Sequence, residues 1–236
     1  MDATEKKQAA ARAALEFIEP GVTLGVGTGS TVNCLLEMLP EVRNRIDRLV
    51  SSSRATTELL MAQGFQVHTL NEVGDFDVYI DGADESNKRL QLIKGGGGAL
   101  TREKVLAGAA RRFVCIIYDS KLVGMLGKFP LPIEVLPMAQ EFVARRMLKM
   151  RGQAVWRDGF VTDNGNHILD VHDLQIANPI DMEARINRIP GVVIHATPEG
   201  VGVMFTEFNR STALALKAVL RIYGLDSAWW QAPPTG

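Results

Sequence analysis

The chain has 236 residues, 46% of them hydrophobic, and a formal net charge of −1. That length allows one large domain, or a large and a small one, and the apolar share excludes a disordered chain. Near-zero charge supplies no general field for nucleic acid or an anionic membrane, so neither partner is expected, and an anionic ligand must be captured by a local site.

The only cysteines, Cys34 and Cys115, both lie in apolar contexts, which argues against a disulfide framework and for a reducing cytoplasm. The start, Met1 to Lys7, is charged and lacks the apolar centre of a secretory signal. No apolar run reaches the ~18 residues of a membrane helix.

In chain order, Ala9 to Ile18 has a helical pattern, stopped by Pro20-Gly21. Val22 to Val26 reads as a strand, running into Gly27-Thr28-Gly29-Ser30-Thr31 and a helix from Val32 to Leu39. Ile46 to Val50 is a strand, Ser51-Ser52-Ser53 a polar turn, Arg54 to Gln63 a helix, and Gln66 to Leu70 a strand. Phe76 to Ile80 is the next strand, followed by an Asp/Gly-rich segment, a helix from Leu100 to Ala110, and a strand from Arg112 to Tyr118. Continuous apolar strands alternating with helices predict an α/β fold: a Rossmann-like, mostly parallel sheet with helices on both faces. Ligands of such sheets bind beyond the carboxyl ends of strands, so the loops after Val26, Val50 and Ile80 can converge on one crevice.

Phe129-Pro130-Leu131-Pro132 marks a break in composition. Strands over Ile133 to Leu136, Ala154 to Val161, His167 to Val171 and Gly191 to Ile194, with helices over Ala139 to Met150 and Pro179 to Ile189, give the order β-α-β-β-α-β. That order predicts a smaller α+β, ferredoxin-like domain. Asn164-Gly165 is a hairpin signal between its middle strands. The predicted organisation is a catalytic α/β domain over 1–128, the small α+β domain over 129–199, and an atypical segment over 200–236. In that segment Gly202 to Phe205 reads as a strand and Ser211 to Ile222 as a helix.

Three stretches carry chemistry. Gly25 to Thr31 fails both the dinucleotide and the Walker patterns, but a strand-to-helix turn with three hydroxyls suits a phosphate; the alternative is an ordinary capped turn. Asp81, Asp84 and Glu85 are mutually repulsive unless a cation or polar ligand is near, and Lys94 is the obvious cation; Asp turn chemistry or a Mg²⁺ site are the alternatives. Gly95-Gly96-Gly97-Gly98 can present backbone amides to a developing oxyanion, or can be a linker. Glu103 can be a general base or a residue that merely suits the start of a helix. Histidines 68, 167, 172 and 195 are scattered and read as structural or surface residues.

Taken together, Gly25 to Thr31, Ser51 to Ser53, Asp81 to Glu85, Lys94 to Gly98, Leu100 to Lys104, Lys128 to Val135 and Val161 to Asn166 closely resemble ribose-5-phosphate isomerase, type A. The resemblance runs from about residue 5 to about residue 195. It implies interconversion of D-ribose 5-phosphate and D-ribulose 5-phosphate through a cis-enediolate, without metal or organic cofactor, by a homodimer or homotetramer. Carried over by motif, Glu103 shuttles the proton, and Asp81 and Asp84, with the intervening Gly82 and Ala83, meet the sugar and assist ring opening. Lys94 with Gly95, Gly96 and Gly97 stabilises the enediolate oxygen. Thr28, Gly29, Ser30 and Thr31 hold the phosphate, with Lys7 and Lys121 as cationic helpers. Beyond His195 the chain departs from that pattern: Ala196 to Gly200 and a long Ser211-to-Gly236 extension stand where a Gly-Leu-Phe type segment and a final strand are expected. A sugar-phosphate sensor would need no base, and an amino-sugar phosphate deaminase would want a ring-opening histidine near the cluster; the residues favour the isomerase over both.

Overall fold

The computed structural model describes residues 1–193. Its helices are α1 (Ala3–Ala14), α2 (Ser30–Met38), α3 (Arg54–Ala62), α4 (Leu70–Val73), α5 (Leu100–Ala109), α6 (Gln140–Lys149) and α7 (Pro179–Asn187). Its strands are β1 (Val22–Val26), β2 (Ile46–Ser51), β3 (Phe76–Asp81), β4 (Glu85–Ser86), β5 (Leu92–Ile93), β6 (Ala110–Cys115), β7 (Leu131–Val135), β8 (Gln153–Trp156) and β9 (His167–His172). They group into two units: Met1–Ala83 with Val105–Leu122, and Asp84–Lys104 with the described residues from Val123 on.

The first unit is built on a parallel sheet of order β2-β1-β3-β6. From β1 the chain moves to one side for β2 and to the other for β3, so the loops leaving β1 and β3 lie at the point where strand order reverses, the preferred ligand position in such sheets. Apolar strand residues Leu24, Val26, Leu49, Val78 and Ile80 bury against Ala10, Ala11 and Ala14 of α1, Leu35 and Leu36 of α2, and Leu60 of α3. Helix α1 begins six residues before the expected Ala9. Asp2 accepts from the Thr4 and Glu5 amides while Glu5 accepts from the Asp2 amide, a capping box that starts the helix at Ala3. The strand expected over Gln66 to Leu70 is reduced to one bridge between Val50 and His68. A second capping box, Thr69 with Glu72, draws the chain into the single turn of α4 instead.

The second unit holds an antiparallel sheet of order β7-β9-β8, with Val192 bridging antiparallel to Val135 on the other side of β7. With α6 and α7 this is the expected split β-α-β arrangement. Ile133, Val135, Leu169 and Val171 pack with Val143 and Met147 of α6 and Met182 and Ile186 of α7. The strand expected to run to Val161 stops at Trp156. The Asn164-Gly165 turn does form, but it closes a local loop, Thr162 N–H to Asn166 C=O and Gly165 N–H to Thr162 C=O, rather than the strand ladder. The pair β4 and β5, two residues each, was not legible within the Asp/Gly-rich segment. Ile194, His195, the strand expected over Gly202 to Phe205 and the helix expected over Ser211 to Ile222 lie outside the described residues.

Candidate active site

In the first unit, Asp81 ends β3 and is wholly buried. Its Oδ1 accepts from the Thr28 amide at 3.2 Å and the Gly82 amide at 2.7 Å, and its Oδ2 accepts from the Tyr79 hydroxyl at 2.6 Å. The carboxylate occupies the space a side chain at Gly27 would need: a β-carbon there would lie 1.9 Å from Asp81 Cγ. Thr28 donates its hydroxyl to Ser53 Oγ at 2.7 Å, Ser53 to Thr56 Oγ1 at 3.1 Å, and Thr56 back to the Gly27 carbonyl at 2.9 Å. The glycine-hydroxyl loop, the serine turn and Asp81 are therefore one hydrogen-bonded assembly. Thr56 is a member that the residue pattern did not single out.

Gly29, at φ 126°, is the N-cap of α2 and supplies no side-chain cap, so the amides of that first turn stay available for an anion beside an exposed Ser30 and a half-exposed Thr31. Lys7, on α1, acts on α2 electrostatically: burial raises the Cys34 thiol, Glu37 adds to this, and the Lys7 ammonium pulls it down. Lys121 closes the short turn Asp119–Lys121, which Lys6 ties to α1 through Asp119 at 2.5 Å.

In the second unit, Asp84 Oδ2 accepts from the Gly96 amide at 2.8 Å, and a β-carbon at Gly96 would lie 2.5 Å from Asp84 Oδ1. Glu85 is occupied structurally, accepting from the Gly127 amide at 2.8 Å and the Phe129 amide at 2.6 Å. Lys94 meets Glu103 rather than acting as the counter-ion of Glu85. Its Nζ lies 3.2 Å from Glu103 Oε2, with both side chains 3% exposed. Glu103 also lies in the first turn of α5, where a carboxylate suits the helix dipole. A buried charge without compensation costs several kcal/mol, and the Lys94–Glu103 contact offsets part of that cost for both. Next along α5, Lys104 pairs with Glu183 of α7 at 3.1 Å, and burial pushes the Lys104 ammonium below its ordinary pKa against the pull of Glu183.

Two carboxylate-centred networks were missed in the sequence, one around Glu134 and one around Asp170. Glu134, a lone carboxylate in the apolar strand β7, accepts at Oε1 from Thr162 (2.8 Å), Asn164 (3.2 Å) and Asn166 (2.9 Å). The same loop holds Arg102, beside Glu103, through the Asp163 carbonyl at 2.9 Å and Asn164 Oδ1 at 2.8 Å. Arg157 pairs with Asp170 and reaches the glycine loop. The available signal was the same in both cases: a charged residue inside an otherwise apolar strand, Glu134 in β7 and Asp170 in β9. Of the histidines, His167 is half-buried against Trp156 and bonded to Gln140, and His172 is exposed.

Known structures share this fold along nearly their whole length. Ribose 5 phosphate isomerase A from Neisseria gonorrhoeae is 43% identical, with TM-score 0.79, covering 88% of this chain and 99% of that one. Ribose 5-phosphate isomerase A from Methanocaldococcus jannaschii is 36% identical, with TM-score 0.76, covering 87% and 100%. A D-ribose-5-phosphate isomerase in complex with phospho-erythronic acid is 36% identical, with TM-score 0.79, covering 88% and 92%. Residues 48–198 match the family described as ribose 5-phosphate isomerase A (phosphoriboisomerase A). The chain belongs to that family.

Proposed function

We propose that this chain interconverts D-ribose 5-phosphate and D-ribulose 5-phosphate, with Glu103 moving the proton between C2 and C1. The observation that carries the reading is the buried Glu103–Lys94 pair behind a loop of four glycines, in a chain of this family. The hydrogen next to a carbonyl is weakly acidic, so charge on the enediolate oxygen must be stabilised as the base removes it. The Lys94 ammonium and the glycine-loop amides supply that stabilisation. One carboxylate serves both transfers because the two carbons are adjacent. A positioned base contributes about 10²–10⁴-fold.

The α2 amides with Thr28, Gly29, Ser30 and Thr31 take the phosphate, assisted by Lys7 and Lys121, which orients the reacting carbons. Asp84 takes sugar hydroxyls and assists ring opening. Asp81 shares that role, and its carboxylate also accepts from the Thr28 and Gly82 amides. These roles need no metal or organic cofactor. A cytoplasmic homodimer or homotetramer fits the family reading, and among the described residues no helix is long and apolar enough to cross a membrane. Purified protein should form ribulose 5-phosphate from ribose 5-phosphate at a rate unchanged by EDTA. No product would remove the isomerase reading, and a rate abolished by EDTA and restored by a divalent cation would replace Lys94 with a metal as the oxyanion partner.

A further inference from the structure

Arg157 follows β8, and its guanidinium is held as a fork by Asp170 of β9, Nε to Oδ2 at 2.8 Å and Nη2 to Oδ1 at 2.5 Å. The remaining nitrogen, Nη1, donates to the Gly96 carbonyl at 3.1 Å and more weakly to the Gly95 carbonyl at 3.4 Å. A trans peptide points its C=O and N–H in opposite directions, and no peptide among the described residues is cis. The plane between Gly95 and Gly96 is thus held from both sides, by Arg157 on its carbonyl and by Asp84 on its N–H. The next plane has its carbonyl on Arg157, which turns the Gly97 N–H away from the guanidinium. Gly97 is exposed, and among the described residues no protein acceptor meets that N–H. The same β8–β9 connection closes over the end of the loop. The Phe160 ring lies where a β-carbon of Gly98 would be, 2.2 Å from its Cζ, and Arg157 sits 5.5 Å from the Phe160 ring centre.

We infer that Arg157, oriented by Asp170, is a positioning residue for the reaction: it fixes the peptide planes of the glycine loop so that the Gly97 amide faces the developing oxyanion. Four successive glycines have more backbone freedom than any other tetrapeptide, so an unpinned loop would have to be ordered at each turnover. The planar fork binds a carboxylate and two carbonyls at once, which a lysine cannot do. This inference rests on the oxyanion role proposed above for the loop.

The test uses two ligands with the same phosphate end. Phospho-erythronic acid carries an anionic carboxylate at the reacting end, and ribitol 5-phosphate carries only neutral hydroxyls. Calorimetry on the folded Arg157→Lys and Arg157→Gln proteins should show phospho-erythronic acid weakened by about tenfold or more, and ribitol 5-phosphate changed by less than about threefold. The value of kcat should fall in step with the first ligand, with KM within about threefold of wild type. Asp170→Asn should shift the same ratio less. Arg157→Lys/Asp170→Asn should be no worse than Arg157→Lys alone, since the two act as one unit. Equal weakening of both ligands, an unchanged ratio, or fully additive losses would overturn the inference. The binding ratio is measured without turnover, so it reads the clamp even if the wild-type protein failed the isomerase assay.

Discussion

At Gly27 a β-carbon would fall 1.9 Å from Asp81 Cγ, and at Gly96 one would fall 2.5 Å from Asp84 Oδ1. Each of these glycines is required by the carboxylate it admits, a reason that the Gly-rich pattern alone could not disclose, since a phosphate loop, a tight turn and a linker all want glycine. Gly96→Ala should therefore displace Asp84 and lower kcat/KM on the order of 10²-fold with little change in melting temperature; wild-type kinetics would contradict the packing. Ser30→Ala and Thr31→Ala should chiefly raise KM for ribose 5-phosphate, because an interaction made equally in ground and transition states leaves kcat in place. An equal loss toward unphosphorylated ribose would count against the phosphate loop. At Asp119, the hydrogen bond from Lys6 holds the carboxyl below its ordinary range. A depressed carboxylate adds stability that is present above its unfolded value of ~3.9 and is lost as pH falls through the folded one. Asp119 is partly exposed, so solvent screening keeps the effect on stability small, but Lys6→Met should raise its titration midpoint in an NMR pH series, and an unmoved midpoint would sever the contact.

Helix α5 carries the proposed base and is tied down on both sides of it, by Arg102 to the Thr162–Asn166 loop and by Lys104 to α7. Lys104→Met alone removes the ammonium beside the buried Glu183 carboxylate and should cost on the order of 3 kcal/mol in a denaturant titration. Lys104→Met with Glu183→Leu should recover most of it, because a matched apolar pair removes both desolvation penalties. A double variant as unstable as the single one would show that the ion pair itself, not the desolvation of its members, sets the stability. Strands and helices with a clear apolar period were legible: Val22–Val26 is bounded as read, and Phe76–Asp81 and Leu100–Ala109 differ from their expected ends by one residue. Misreadings fall where a few side chains outweigh the pattern, as with the Thr69–Glu72 box that ends a strand and the turn at Thr162–Asn166 that stands apart from the ladder. Apart from the resemblance, the segments Lys128 to Val135 and Val161 to Asn166 were legible only locally, as a proline-marked strand and an Asn-Gly turn. Their physical link, Glu134 accepting from Thr162, Asn164 and Asn166, is a contact between residues 28 to 32 positions apart, which no local pattern reveals.

For the molecule as a whole, the alternation of apolar strands and helices followed by the β-α-β-β-α order was enough to predict the parallel sheet and the β7-β9-β8 sheet, though not the β4-β5 pair. The chemistry was legible in a different way. Residue types and spacing located a group of costly side chains, all buried, whose contacts differ: Glu85 accepts from the Gly127 and Phe129 amides, Asp81 from the Thr28 amide among others, and Glu103 lies against Lys94. Position alone left Glu103 between a base and a helix-start residue. The most direct measurement is steady-state turnover of ribose 5-phosphate by Glu103→Gln, paired with calorimetric binding of the same sugar phosphate. The account predicts kcat lowered by ~10²–10⁴-fold with binding nearly intact. Near-wild-type turnover by the folded variant would contradict it.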